Sequence, residues 1–119
     1  MKLQEAVDEA FNQALHELAA RRSAAALVWL ERAHILTQRR PWLHARSHWL
    51  MLRAGWQQGD VREVLGQVPR ILAALLFSRI WVPVGNTGRA RVSAFQAMPV
   101  TEDLQALLAS ERQQRVPEA

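Results

Sequence analysis

Hydrophobic positions recur at three- and four-residue spacing over most of this chain, the period of helices that bury one stripe. Over residues 3–20, Leu3, Val7, Ala10, Phe11, Ala14, Leu15 and Leu18 share a face, which predicts a first helix. Ser23 offers an N-cap for a second helix running to about Gln38. Arg40-Pro41 interrupts the pattern, and because proline suits a first helical turn, a third helix is predicted from there to about Gln57. Gly59 stops it, and Asp60 with Glu63 three residues later is a capping-box pattern for a fourth. Pro69 predicts a kink or break, with the helix resuming over 71–77.

The next segment has a different character. Residues 82–88, Val-Pro-Val-Gly-Asn-Thr-Gly, carry turn formers at four places and read as a loop. Residues 90–95 read as a short extended piece. Thr101, Glu102 and Asp103 open a last short helix to about Ser110, and 113–119 reads as a frayed tail. The expected architecture is all-α. One helical domain over residues 1–112 comprises two stacked antiparallel hairpins, in a tetratricopeptide-like or four-helix arrangement, then a loop and a short helix. The turns at 22–23 and 59–60 lie one hairpin unit apart, a faint repeat carried by few matching positions.

Composition narrows the chemistry. Half of the 119 residues are hydrophobic and 22% are charged, a globular balance. The longest apolar runs, 24–30 and 71–77, fall far short of the roughly 20 residues of a membrane span. Residues 1–11 carry Glu5, Asp8 and Glu9 and lack the apolar segment of a signal peptide, so a cytoplasmic location is expected. Cysteine is absent, which excludes disulfides, thiolate nucleophiles and cysteine-ligated metals. Any metal site must draw on His, Asp, Glu, Met or backbone oxygen. The net charge of +4 is nearly all arginine, with Lys2 the only lysine. The arginines are spread along the chain, which argues against a dedicated nucleic-acid surface.

One constellation rises above this background. The second predicted helix holds Glu31 and His34 in E-x-x-H spacing; the third holds His44 and His48 in H-x-x-x-H spacing. Residues three or four apart share a helix face. Across a short antiparallel turn, His34 and His44 stand at one height and Glu31 and His48 at the next, two rungs of a ladder. An acid and three imidazoles among apolar neighbours suit zinc, iron, copper or nickel, and helical bundles build metal sites from E-x-x-H elements. The competing reading is a metal-free polar network that fixes helix register, with Glu31 on His48 or an arginine, His34 on a carbonyl or the Asn86 loop, and Gln38 on a turn. No companion nucleophile is evident, so whether the chain is an enzyme stays open. His16 with Glu17 on the first helix is a further candidate member of the cluster.

Two other features carry alternatives. Trp42, Trp49 and Trp56 repeat every seven residues beside Arg46 and Arg53. They read as a packing seam against another helix or a second subunit, or as a stripe for a partner. Residues Gly85, Asn86, Thr87 and Gly88 read as a structural turn or a phosphate cradle, without the lysine of a P-loop.

Residues 30–38, 44–52, 63–67 and 83–88 together resemble an uncharacterised bacterial family, domain of unknown function 3703, over about residues 24–108. The resemblance implies that Glu31, His34, Gln38, His44, His48 and the Gly85–Gly88 loop match the family's pattern, and it implies no activity. The sequence thus points first to a small transition-metal-binding helical protein with Glu31, His34, His44 and His48 as ligands. The alternative is a metal-free helical-repeat adaptor that engages a protein partner, or a second copy, through its Trp/Arg face. A hydrolase or oxygen-chemistry enzyme using the same four residues is the third option.

Overall fold

The computed structural model describes the backbone of residues 1–115 and side chains to Glu111. The described residues form five helices and no strand. Helix α1 spans Leu3–Ala19, α2 Ser23–Thr37, α3 Pro41–Gln58, α4 Val61–Phe77 and α5 Glu102–Arg115. Each of the first four helices packs chiefly on its neighbour in sequence, so the hairpins α1–α2 and α3–α4 stack through α2 and α3. Helix α5 folds back onto α1 and α2.

The helix ends follow local chemistry. Pro41 occupies the first turn of α3, where its missing N–H costs nothing. Gly59 closes that helix at φ +69°, a left-handed turn that L side chains resist. The Asp60 carboxylate then accepts the Glu63 N–H of α4 at 3.2 Å. The Glu63 side chain does not complete the box, because it is engaged elsewhere.

Four local expectations are revised. Ser23 is the first residue of α2 rather than its cap, and its hydroxyl donates to Gln57 Oε1 on α3 at 2.7 Å. Pro69 does not break α4, which runs through it. The carbonyl it leaves without an amide is that of Leu65, an exposed residue, so water can satisfy it. Residues 90–95 are not extended but form two turns, with Val92 N–H on Arg89 O and Gln96 N–H on Ser93 O. Helix α5 continues past Ser110 to Arg115. The fraying expected of 113–119 reaches residues 116–119, which lie outside the described residues.

The helices enclose two different interiors. The apolar core lies among α1, α2 and α3, where Ala6, Ala10, Ala14, Ala26 and Ala33 let backbones approach around Phe11, Leu18, Leu30 and Met51. The layer between α3 and α4 is polar instead. Helix α4 turns Glu63, Gln67 and Ala74 inward, while Leu65, Val68, Leu72 and Leu76 stand on its exposed face. Its amphipathic stripe therefore points outward, the reverse of an ordinary packed helix. Buried polar groups demand partners, and the α3–α4 layer supplies them.

Candidate metal centre

The short link between Thr37 and Pro41 makes α2 and α3 antiparallel neighbours, and it places His34, one turn before the end of α2, beside His44, one turn into α3. His48 follows four residues later on the same face. All three imidazoles are buried, at 2%, 7% and 3% exposure. Their ring centroids lie 4.6 to 4.9 Å apart. Their Nε2 atoms converge: His34 to His44 is 2.9 Å, and His48 is 3.2 Å from each.

The partners on the far side of each ring fix the protons. His34 Nδ1 lies 2.8 Å from the Asn86 carbonyl, which can only accept. His44 Nδ1 lies 2.7 Å from Ser78 Oγ, whose own proton goes to the Ala74 carbonyl at 2.5 Å. His48 Nδ1 lies 2.6 Å from Gln67 Oε1. The Gln67 amide is oriented by its Nε2, which donates to the Gly88 carbonyl at 2.9 Å and to Glu63 Oε2 at 3.2 Å. Each Nδ1 is therefore a donor, and in a neutral imidazole that leaves Nε2 as a bare acceptor. Burial keeps the rings neutral. Desolvation, then the fields of His48 and His44, hold His34 well below the ordinary histidine range. Desolvation also lowers His44 to about 4 and, with the His44 field, His48 to about 3.

Glu31 does not join the three rings. Its carboxylate lies 3.6 Å from Arg89 Nη1 and is partly exposed. Burial raises its carboxyl above the ordinary range, and the Arg89 charge offsets part of that. The ladder expectation fails on this rung because Arg89 arrives from the loop after α4 and draws the carboxylate outward. His16 is exposed on α1, and Glu17 pairs with Arg22 at 2.5 Å, so neither takes part.

The supporting roles of Glu63 and Gln67 escape a reading by spacing alone, whereas Gln38 holds a turn as the polar-network reading expected. Glu63 is almost fully buried. It accepts from Arg89 Nε and, at 2.7 Å, from Ala90 N–H. Gln38 holds the loop by donating to the Pro83 carbonyl at 2.9 Å and accepting the Gly85 N–H at 3.0 Å. The available signal was Glu63, Gln67, Ala74 and Ser78 in a polar or small row at helical spacing, opposite the apolar row of α4.

The Gly85–Gly88 loop is a brace and not an anion cradle. Its Gly85, Asn86 and Gly88 amides are spent on Gln38, on the Pro83 carbonyl and on the Asn86 side chain. At Gly88, φ is +84°, and a Cβ there would stand 2.7 to 2.9 Å from the His34 ring. Only glycine lets this backbone lie against the imidazole.

A cavity of about 400 Å³ opens beside the three rings. Phe77, Ile80, Trp81 and Phe95 supply much of its apolar wall, and Arg70 its charge. Among the described residues, no Asp or Glu lines it. On the other side of α3, Trp42, Trp49 and Trp56 are 76%, 52% and 75% exposed, so no helix among the described residues covers them. Arg46 instead lies over the Phe11 ring at 4.6 Å. No described helix is long and apolar enough to cross a membrane.

The sequence profile of the family described as "Protein of unknown function (DUF3703)" matches residues 1–108. Comparison with curated proteins and with solved structures gives no match. The profile covers most of the chain, including all three histidines and the loop that braces them. The chain therefore belongs to this family.

Proposed function

We propose that this DUF3703 protein binds a divalent transition-metal ion through the Nε2 atoms of His34, His44 and His48. The observation that carries the proposal is geometric: the Nε2 atoms of three buried imidazoles lie within 3.2 Å of one another, and the acceptors facing each Nδ1 leave those Nε2 atoms as bare lone pairs. Acceptors facing acceptors repel, and a cation between them reverses the sign of the interaction. A triangle with these sides has its centre about 1.8 Å from each nitrogen. An ion about 1 Å out of that plane would sit at roughly the 2.0–2.1 Å of a zinc–imidazole bond.

The outer partners fit the same reading. Metal-bound histidines usually donate their second N–H to a carbonyl or another fixed acceptor, which sets tautomer and ring angle. Here the acceptors are Asn86 O, Ser78 Oγ and Gln67 Oε1. Imidazole-only ligation suits zinc, copper, nickel and iron. Glu31 is not assigned as a ligand.

The test is elemental analysis of tag-free protein after equilibration with zinc and exhaustive dialysis. About one ion per chain is expected. His44→Ala combined with His48→Ala should abolish it while the helical circular dichroism persists. Wild-type protein that retains no ion would refute the proposal.

A second reading is favoured by one observation, the outward tryptophan row of α3. In it the chain works as an adaptor whose Trp42, Trp49 and Trp56 face meets a protein surface. Sedimentation equilibrium of wild type against Trp49→Ala would detect the simplest case, a second copy of the chain.

A further inference from the structure

The three-histidine triangle is one wall of the apolar cavity, and the remaining side of a bound ion would look into it. A site with three protein ligands and an open position beside a pocket differs from a closed structural site, in which protein supplies every ligand. The charges around this opening are one-sided. Three neutral imidazoles leave the full double positive charge on an ion. Arg70 adds another positive charge in the wall, since among the described residues its guanidinium bonds to the neutral Gly66 and Val92 carbonyls, at 2.8 and 2.9 Å. Glu63, the acid that bonds Gln67 behind His48, is committed to Arg89 and the Ala90 amide. Among the described residues, no carboxylate of the cavity wall is there to complete the coordination.

The rest of the opening is apolar. Phe77, Ile80, Trp81 and Phe95 stand around it, each more than half exposed, and nothing else in the described chain covers them. A ligand that suits both features carries an anionic oxygen donor at one end and a hydrocarbon body at the other.

Resting on the metal reading above, we propose that the site takes a small apolar carboxylate, its head on the ion and near Arg70, its tail against Phe77, Ile80, Trp81 and Phe95. An anionic head supplies the charge that the protein's donor set lacks. The tail removes apolar surface from water at about fourfold in affinity per buried methylene.

Cobalt(II) provides the probe, because its visible absorption reports ligand type and geometry. Cobalt-loaded protein is titrated with acetate, octanoate and octanol. Octanoate should shift the cobalt bands at a concentration at least about tenfold below acetate, and octanol should leave them unchanged. Trp81→Ser and Phe77→Ser alter exposed side chains. They should weaken octanoate severalfold while leaving acetate and cobalt affinity as they were.

Equal affinity for acetate and octanoate would overturn the proposal, as would bands that respond to neither, and in both cases the metal site itself would stand. Equal octanoate binding by metal-free protein would also overturn it, by removing the ion from the recognition. Failure of cobalt and zinc to bind at all would remove the metal site and this ligand together.

Discussion

Acidifying the metal-free protein from pH 7.5 to 5.5 should cost it about 4 kcal/mol of stability. In the unfolded chain each histidine titrates near 6.5. In the folded chain desolvation lowers His44 to about 4 and His48 to about 3, and holds His34 well below its ordinary value. A depressed folded-state pKa means that the unfolded chain binds the proton first. Stability is therefore full above about pH 6.5 and falls as the pH drops, until the folded rings also protonate. One unit below 6.5, each ring that stays neutral in the folded chain contributes a loss of between about 1 and 2 kcal/mol, and the three sum to about 4. These rings are buried, so solvent screening removes little of the effect. Glu31 runs the opposite way: burial raises its carboxyl, so it gains a proton first in the folded state and offsets a small part of the loss.

Urea unfolding followed by tryptophan fluorescence, at several pH values with chelator present, measures this directly. The slope between pH 6 and 5 should approach three protons taken up on unfolding. His44→Gln should lower the loss by about one third. A loss below about 1 kcal/mol over these two units would refute the picture of three rings held neutral by burial. Zinc should raise stability by mass action at pH 7.5 and no less at pH 5.5, because the folded rings are still neutral there while protons compete for the unfolded ligands.

The outer partners give further tests. Gln67→Leu removes the acceptor of the His48 Nδ1–H and should weaken metal binding about 10- to 100-fold, read by competition with a chromophoric chelator. Glu63→Ala strands the Ala90 amide and leaves Arg89 only its looser pairing with Glu31, and it should cost about 2–3 kcal/mol in urea unfolding, a figure reduced because Arg89 is partly exposed. Gly88→Ala combines a left-handed φ with a Cβ against the His34 ring, so it should lower both stability and metal affinity, whereas Gly59→Ala, whose Cβ meets open space, should cost only the backbone strain of about 1 kcal/mol. Trp49→Ala should change stability by less than about 0.5 kcal/mol, against the 3–5 expected of a core tryptophan, and a large loss in a monomer would contradict the exposed face.

Those features of the fold that rest on local chemistry were legible in the sequence. Pro41, Gly59 and Asp60 fix helix ends through constraints a few residues long, and the spacing of His34, His44 and His48 on two antiparallel helices is enough to bring them together. The fate of Glu31 was not legible, because the competing cation lies 58 positions away in a loop whose course no periodicity encodes. Residues 90–95 were misread for a related reason: their backbone answers to Glu63 and Arg70 on α4 and not to strand pairing. Helix α4 hid its role most effectively. Its strong apolar row suggests core, yet that row faces outward, and its quieter row of Glu63, Gln67, Ala74 and Ser78 braces the histidines.

The connection between α4 and α5 contains almost no regular backbone pairing, yet it is tethered at successive points. Gln38 grips Pro83 and Gly85, His34 grips Asn86, Gln67 grips Gly88, Glu63 grips Ala90 and Arg70 grips Val92. Two of those tethers run through the imidazole trio or its immediate supports. The order of some twenty residues is thereby tied to the state of three rings. An occupant of the trio would fasten the whole connection, and its departure would loosen a stretch well outside coordinating range. Protease nicking and amide exchange along this segment then become remote gauges of what the rings hold.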